Sequence, residues 1–149
     1  MNILFTLNDA FVPQVATCMC SIFENNKSAE NITVYLIGER ISQENQNKLK
    51  GFAKSYDRKV CIISINNIAD YIDFDFDTNG WSSIILARLF LDKLLPQEVD
   101  RILYLDGDTL VLEDIGSLFY SDLGDKVIGM CPEPTVDKSR KEFLALKEY

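Results

Sequence analysis

Apolar positions along the chain switch between two periods, and the switches mark out the elements. The run "NILFTL" at 2–7 is short and continuous, which predicts a buried strand. Val12, Val15, Ala16, Met19, Ile22 and Phe23 then recur at helical spacing until the polar run "ENNKSAEN" ends the helix. A second strand is predicted over 32–37, "ITVYLI", closed by Gly38. Ser42, with Asn45 and Gln46 behind it, opens a second helix with Leu49, Phe52 and Ala53 on its apolar side. "KVCIISI" at 59–65 reads as the third strand, and a looser acidic segment runs from 66 to 80. Ser82 or Ser83 then caps a predicted helix over 84–95, "IILARLFLDKLL", which Pro96 stops. That helix is apolar almost all round, so deep burial is expected. A fourth strand falls at 101–105, followed by an extended "TLVLED", a short helix in "IGSLFYSDL", another strand in "KVIGMC" and a helix-like tail, "DKSRKEFLALKEY".

This alternation of strand and helix predicts an α/β fold with right-handed crossovers and a mainly parallel sheet covered by helices on both faces. No repeat, low-complexity tract or linker interrupts residues 1–149, which suits a single domain. Sheets of this kind bind ligands beyond the carboxyl ends of their strands. "NDAF" after strand one and "DGD" after strand four both fall at that edge.

Composition narrows the chemistry. Fifteen basic against 23 acidic side chains leave a net charge of −8, without the basic footprint that nucleic acid or anionic lipid requires. No apolar run approaches the length of a membrane span, and "MNILFTLNDAF" lacks the basic start of a signal peptide, so a cytoplasmic address is expected. Cys18, Cys20, Cys61 and Cys131 have no metal-binding or C-x-x-C spacing and read as reduced core thiols, three of them in apolar runs. The chain contains no histidine, which excludes Ser-His-Asp and Cys-His machinery and any His-ligated zinc. A metal site here must use oxygen ligands, which favours Mg²⁺, Mn²⁺ or Ca²⁺.

Neither G-x-G-x-x-G nor G-x-x-x-x-G-K-[ST] occurs, against a dinucleotide site or a P-loop. Asp75, Asp77, Asn79 and Gly80 match the opening of a calcium loop, but Leu86 stands where its bidentate Glu belongs, and a solvated acidic loop is the better reading. "YLDGDTLVL" admits two readings. Its Asp-Gly pair suits a hairpin turn, while Asp106 and Asp108, two apart on an extended chain, face the same side and can aim at one cation, with Gly107 allowing close approach. Its place after a buried strand and an apolar helix favours the second.

Three stretches carry a resemblance: "MNILFTLNDAFVPQVATCMCSIFENN", "LARLFLDKLLP" and "VDRILYLDGDTLVLEDIGSLFYSDLGD". Together they resemble the N-terminal part of glycosyltransferase family 8, the lipopolysaccharide galactosyl- and glucosyltransferases and glycogenin. The resemblance implies a GT-A-type fold and retaining transfer of a hexose from a UDP-sugar such as UDP-glucose or UDP-galactose to a glycan or lipopolysaccharide acceptor, with Mn²⁺ or Mg²⁺. It implies that Asp106 and Asp108 hold the metal against the diphosphate, that Thr6 and Asn8 meet the uridine, that Phe11 stacks near the uracil, and that Arg88 reaches the donor. For Arg88 the residue-level alternative is an ion pair, and for Phe11 a place in the core. Ala10 stands where related sequences often carry Asn. The family's later Asn-bearing strand, acidic residues and H-x-x-G-x-x-K-like segment have no counterpart up to Tyr149. The resulting expectation is an incomplete donor-binding portion, truncated on the C-terminal side, with attachment at the inner membrane face left to residues beyond it. The other reading is a non-catalytic nucleotide-sugar-binding remnant or interaction module. Apolar surface left uncovered by truncation predicts self-association.

Overall fold

A computed structural model describes residues 1–72, 80 and 82–131. Four parallel strands, β1 (Asn2–Asn8), β2 (Thr33–Glu39), β3 (Lys59–Ile65) and β4 (Leu103–Tyr104), form one sheet in the order β3-β2-β1-β4. Helices α1 (Val12–Asn25) and α2 (Gln43–Ser55) make the first two crossovers. The short helices α3 (Leu91–Leu94) and α4 (Gly116–Phe119) flank β4 in sequence.

The pleat of β1 divides the core. Ile3, Phe5 and Leu7 face one way and pack with Val34 and Leu36 under Val15, Met19, Ile22 and Phe23 of α1 and Leu49 of α2. Leu4 faces the other way, into a second cluster with Tyr35, Ile37, Ile65, Ile84 and Ala87. Pro at the first turn starts α1, and Ser42, extended and accepting from the Asn45 amide, caps α2. β2, flanked by strands on both sides, is buried along most of its length.

The predicted first three strands are found, β1 and β2 each running slightly past their expected ends. The sequence at 84–95 does not form one deeply buried α-helix. Ser83–Leu89 is a 3₁₀ helix and only Leu91–Leu94 is α-helical. Ile84 and Ala87, one 3₁₀ turn apart, are buried on the sheet, while Leu89 is 65% exposed. One sheet face can cover only one side of such an element, so its remaining apolar side stays open. Ser82 is its N-cap by position without a side-chain hydrogen bond. "TLVLED" joins no ladder, and "KVIGMC" is not a strand: Val127 is 97% exposed, with no strand beside it among the described residues. Of the four cysteines, all free, only Cys18 is buried; Cys61 and Cys131 are exposed. The tail at 137–149 and Asp75, Asp77 and Asn79 lie outside the described residues.

Candidate functional site

The strand order places the site. The chain lays β2 and β3 on one side of β1 and then returns to place β4 on the other, so the topological switch lies between β1 and β4. Ligands of open α/β sheets bind at that crevice, beyond the carboxyl ends. Ile3 pairs with Leu103 and Leu4 with Tyr104, and the Leu105 amide donates to Leu4 O at 3.1 Å. β4 is shorter than the expected 101–105, and the chain leaves it through Leu105 into Asp106, Gly107 and Asp108; β1 ends at Asn8 and continues into the 3₁₀ turn Asp9–Phe11.

That turn is tied to α2. Asp9 Oδ1 accepts from the Ser42 amide and from Asn45 Nδ2, each at 2.8 Å. The backbone donor first, then the side-chain donor, hold its carboxyl below the ordinary value of 3.8. A depressed carboxyl contributes stability that is complete above the ordinary value and is lost as pH falls through the lower folded one. Thermal melts of the wild type between neutral pH and pH values below 3.8 should therefore show a destabilising component that Asp9→Asn removes. Superimposable pH profiles would refute the tether.

The Asp-Gly-Asp stretch forms a turn but not a hairpin. The Thr109 amide closes it on Asp106 O at 3.2 Å, and Thr109 Oγ1 donates to the same oxygen at 2.7 Å. Gly107 does not adopt the left-handed backbone that a type I′ hairpin requires, and residues 109–112 do not pair back onto β4. Glycine is needed for space: a Cβ at 107 would lie 2.6 Å from Val15 Cγ2 and 3.2 Å from Phe11 Cδ1. The turn is thus seated on the Phe11 ring and the start of α1, with Gly107 buried and Asp106 and Asp108 both exposed. Among the described residues no salt bridge or side-chain hydrogen bond engages either carboxylate.

The other expected residues divide between the two faces. Asn8 Oδ1 is buried without a hydrogen-bond partner at the end of β1. Phe11 is 37% exposed, so it is not a simple core residue. Thr6 Oγ1 shares a 2.9 Å hydrogen bond with Tyr104 OH, and the Arg88 guanidinium lies over the Tyr104 ring, 5.3 Å from its centroid. Arg88 is exposed, not buried, and forms no ion pair among the described residues. An aromatic face satisfies its charge instead. Tyr104 therefore joins Thr6 to Arg88, a role that its reading as a plain strand residue did not reveal.

The donor set suits a hard divalent cation in ligand type, since both carboxylates are unengaged oxygen donors on one tight turn. No group of three or more Cys, Asp or Glu side chains converges among the described residues. Asp106 and Asp108 would be two protein ligands, and phosphate oxygens and water would complete the shell.

A parallel sheet with its switch point between β1 and β4 and a carboxylate-bearing turn on that edge matches the GT-A glycosyltransferase class. Residues 2–148 match the model for Glycosyl transferase family 8, and the chain belongs to that family. It is 26% identical to the lipopolysaccharide 1,2-glucosyltransferase of Escherichia coli (strain K12), over 93% of this chain and 41% of that protein. Among solved structures it superimposes on an active-site mutant of LgtC with a TM-score of 0.81 and 26% identity, covering 96% of this chain and 49% of LgtC. The galactosyltransferase LgtC in complex with donor and acceptor sugar analogues matches with a TM-score of 0.72 and 26% identity, over 84% of this chain and 44% of that one. The chain spans less than half the length of these relatives.

Proposed function

We propose that this chain is the donor-binding portion of a divalent-metal-dependent, retaining glycosyltransferase that moves a hexose from a UDP-sugar to a glycan or lipopolysaccharide acceptor. The observation that carries the reading is the turn seated on Phe11 and Val15, which presents two unengaged carboxylates beside the end of β1. Asp106 and Asp108 would hold Mn²⁺ or Mg²⁺ against the diphosphate. When bound, the ion neutralises charge on the departing nucleotide. The orphaned Asn8 Oδ1 suits a ring or ribose donor of uridine, and the open face of Phe11 suits the base. Thr6 and Arg88 act through Tyr104, with Thr6 setting the tyrosine hydroxyl and Arg88 supplying a cation beside the donor.

The remainder of the proposal is coarser. No helix among the described residues is long and apolar enough to cross a membrane, which is compatible with a cytoplasmic site of action. Leu110, Leu112, Leu118, Val127, Ile128 and Met130 are all exposed, and this amount of uncovered apolar surface supports self-association. Light scattering is expected to show a mass that rises with concentration; a constant monomer mass would refute it. The test of the donor site itself is titration of UDP with and without Mn²⁺, on the wild type and on variants of the carboxylate pair.

A further inference from the structure

The segment after the Asp-Gly-Asp turn has no strand partner among the described residues, yet both backbone polar groups of Val111 are satisfied by the side of a helix. The Val111 amide donates to Ser21 Oγ at 2.9 Å, and Val111 O accepts from Asn25 Nδ2 at 2.9 Å. A single residue thus exchanges both of its backbone bonds with two side chains of α1, as a hydrogen-bonded pair does across a ladder. Both side chains are themselves anchored: Ser21 Oγ donates to Cys18 O at 2.7 Å, and the second Asn25 N–H reaches Ser21 O at 3.0 Å. A third link lies nearer the turn, where Cys18 Sγ and Thr109 Oγ1 are 3.5 Å apart. Burial keeps that thiol protonated, so the S–H donates to a Thr109 oxygen whose own proton is given to Asp106 O.

Building on the donor-site reading above, we infer that Ser21 and Asn25 are positioning residues that set the register of the Asp106–Asp108 turn from its C-terminal side. The turn hangs between two fixed points, Leu105 bonded to β1 and Val111 bonded to α1. A slip of one residue would move the carboxylates along the chain by about 3.3 Å. Metal–oxygen distances lie near 2.0–2.6 Å, so such a slip exceeds what a coordinated cation tolerates. Gly107 blocks movement toward α1, because the turn already touches Val15 and Phe11 there. Ser21 and Asn25, with the Cys18–Thr109 contact beside them, hold it against sliding along the helix.

The test measures UDP affinity with and without Mn²⁺, together with amide hydrogen exchange, for the wild type, Ser21→Ala/Asn25→Ala and Ser21→Thr. The double variant is expected to lose roughly 10–100-fold of the Mn²⁺-dependent affinity, the range typical of lost outer-shell partners. Its exchange should quicken at 108–111 while β1, β2 and β3 exchange as in the wild type, and Ser21→Thr, which keeps the hydroxyl, should stay near wild type. Unchanged affinity and exchange would overturn the inference, as would faster exchange throughout the sheet, which would mark a general structural role. A wild type without Mn²⁺-dependent binding would overturn the donor-site reading instead. Exchange confined to 108–111 would then still support registration of the turn by this pair.

Discussion

Asp106→Ala, Asp108→Ala and the double variant are each expected to lose the Mn²⁺-dependent part of UDP binding, by on the order of 100-fold or more, since outer-shell changes alone cost about 10–100-fold. The physical case rests on exposure and engagement. Both carboxylates are solvent-exposed and bonded to nothing among the described residues, so truncation removes ligand atoms without leaving a buried group unsatisfied. Melting temperature should therefore stay close to wild type, because surface substitutions away from such features usually shift stability by less than about 0.5 kcal/mol. Calorimetric titration with and without Mn²⁺, beside a thermal melt, separates the two effects. Binding that ignores the metal or survives the double substitution would remove the assigned site.

Asn26→Ala is expected to have the opposite profile, a large loss of stability. Asn26 is fully buried just beyond the last residue of α1. Its Nδ2 donates to Ile22 O at 2.9 Å and its Oδ1 accepts from the Ile115 amide at 2.8 Å. Its own carbonyl accepts from the Ala29 amide at 3.2 Å and from Arg58 Nη2 at 3.3 Å. Alanine orphans a buried carbonyl and a part-buried amide at once, at about 1–3 kcal/mol each, the amide at the lower end. The expected loss is about 2–4 kcal/mol, and for a chain of this size roughly 2–4 °C in melting temperature accompanies each of those. Asn26→Asp keeps the acceptor for Ile115 and should fall between alanine and wild type. Chemical denaturation giving a change below about 1 kcal/mol for alanine would refute this account.

Asn25 and Asn26 are adjacent in sequence and differ in task. Asn26 is buried and closes the end of α1, whereas Asn25 is exposed and reaches sideways to Val111. In the sequence both belong to the polar run that ends a helix, and nothing local separates them. Their partners lie 86 and 89 residues away. Tyr104 was equally silent, because its contacts to Thr6 and Arg88 arise only once β4 lies beside β1.

The element at 83–94 went astray for a related reason. All-round apolarity shows that a segment avoids water but not how many faces neighbours will cover. Here the sheet covers the side bearing Ile84 and Ala87, and Leu89 is left outside. "KVIGMC" has strand composition, but a strand needs a partner, and none lies beside it among the described residues.

Legible in the sequence was the local alternation: three strands, two amphipathic helices, the second with its Ser42 cap, two carboxylates separated by one glycine, and the exclusion of histidine chemistry. These are legible because periodicity and capping depend on residues within a few positions of one another. The tertiary structure alone decided that β4 pairs with β1, which puts the candidate site beyond the carboxyl ends of those two strands. It also decided that Gly107 serves packing against Val15 and Phe11 and that side chains of α1 stand in for a missing strand. Those outcomes depend on contacts between segments far apart in the chain, where neither periodicity nor propensity carries information.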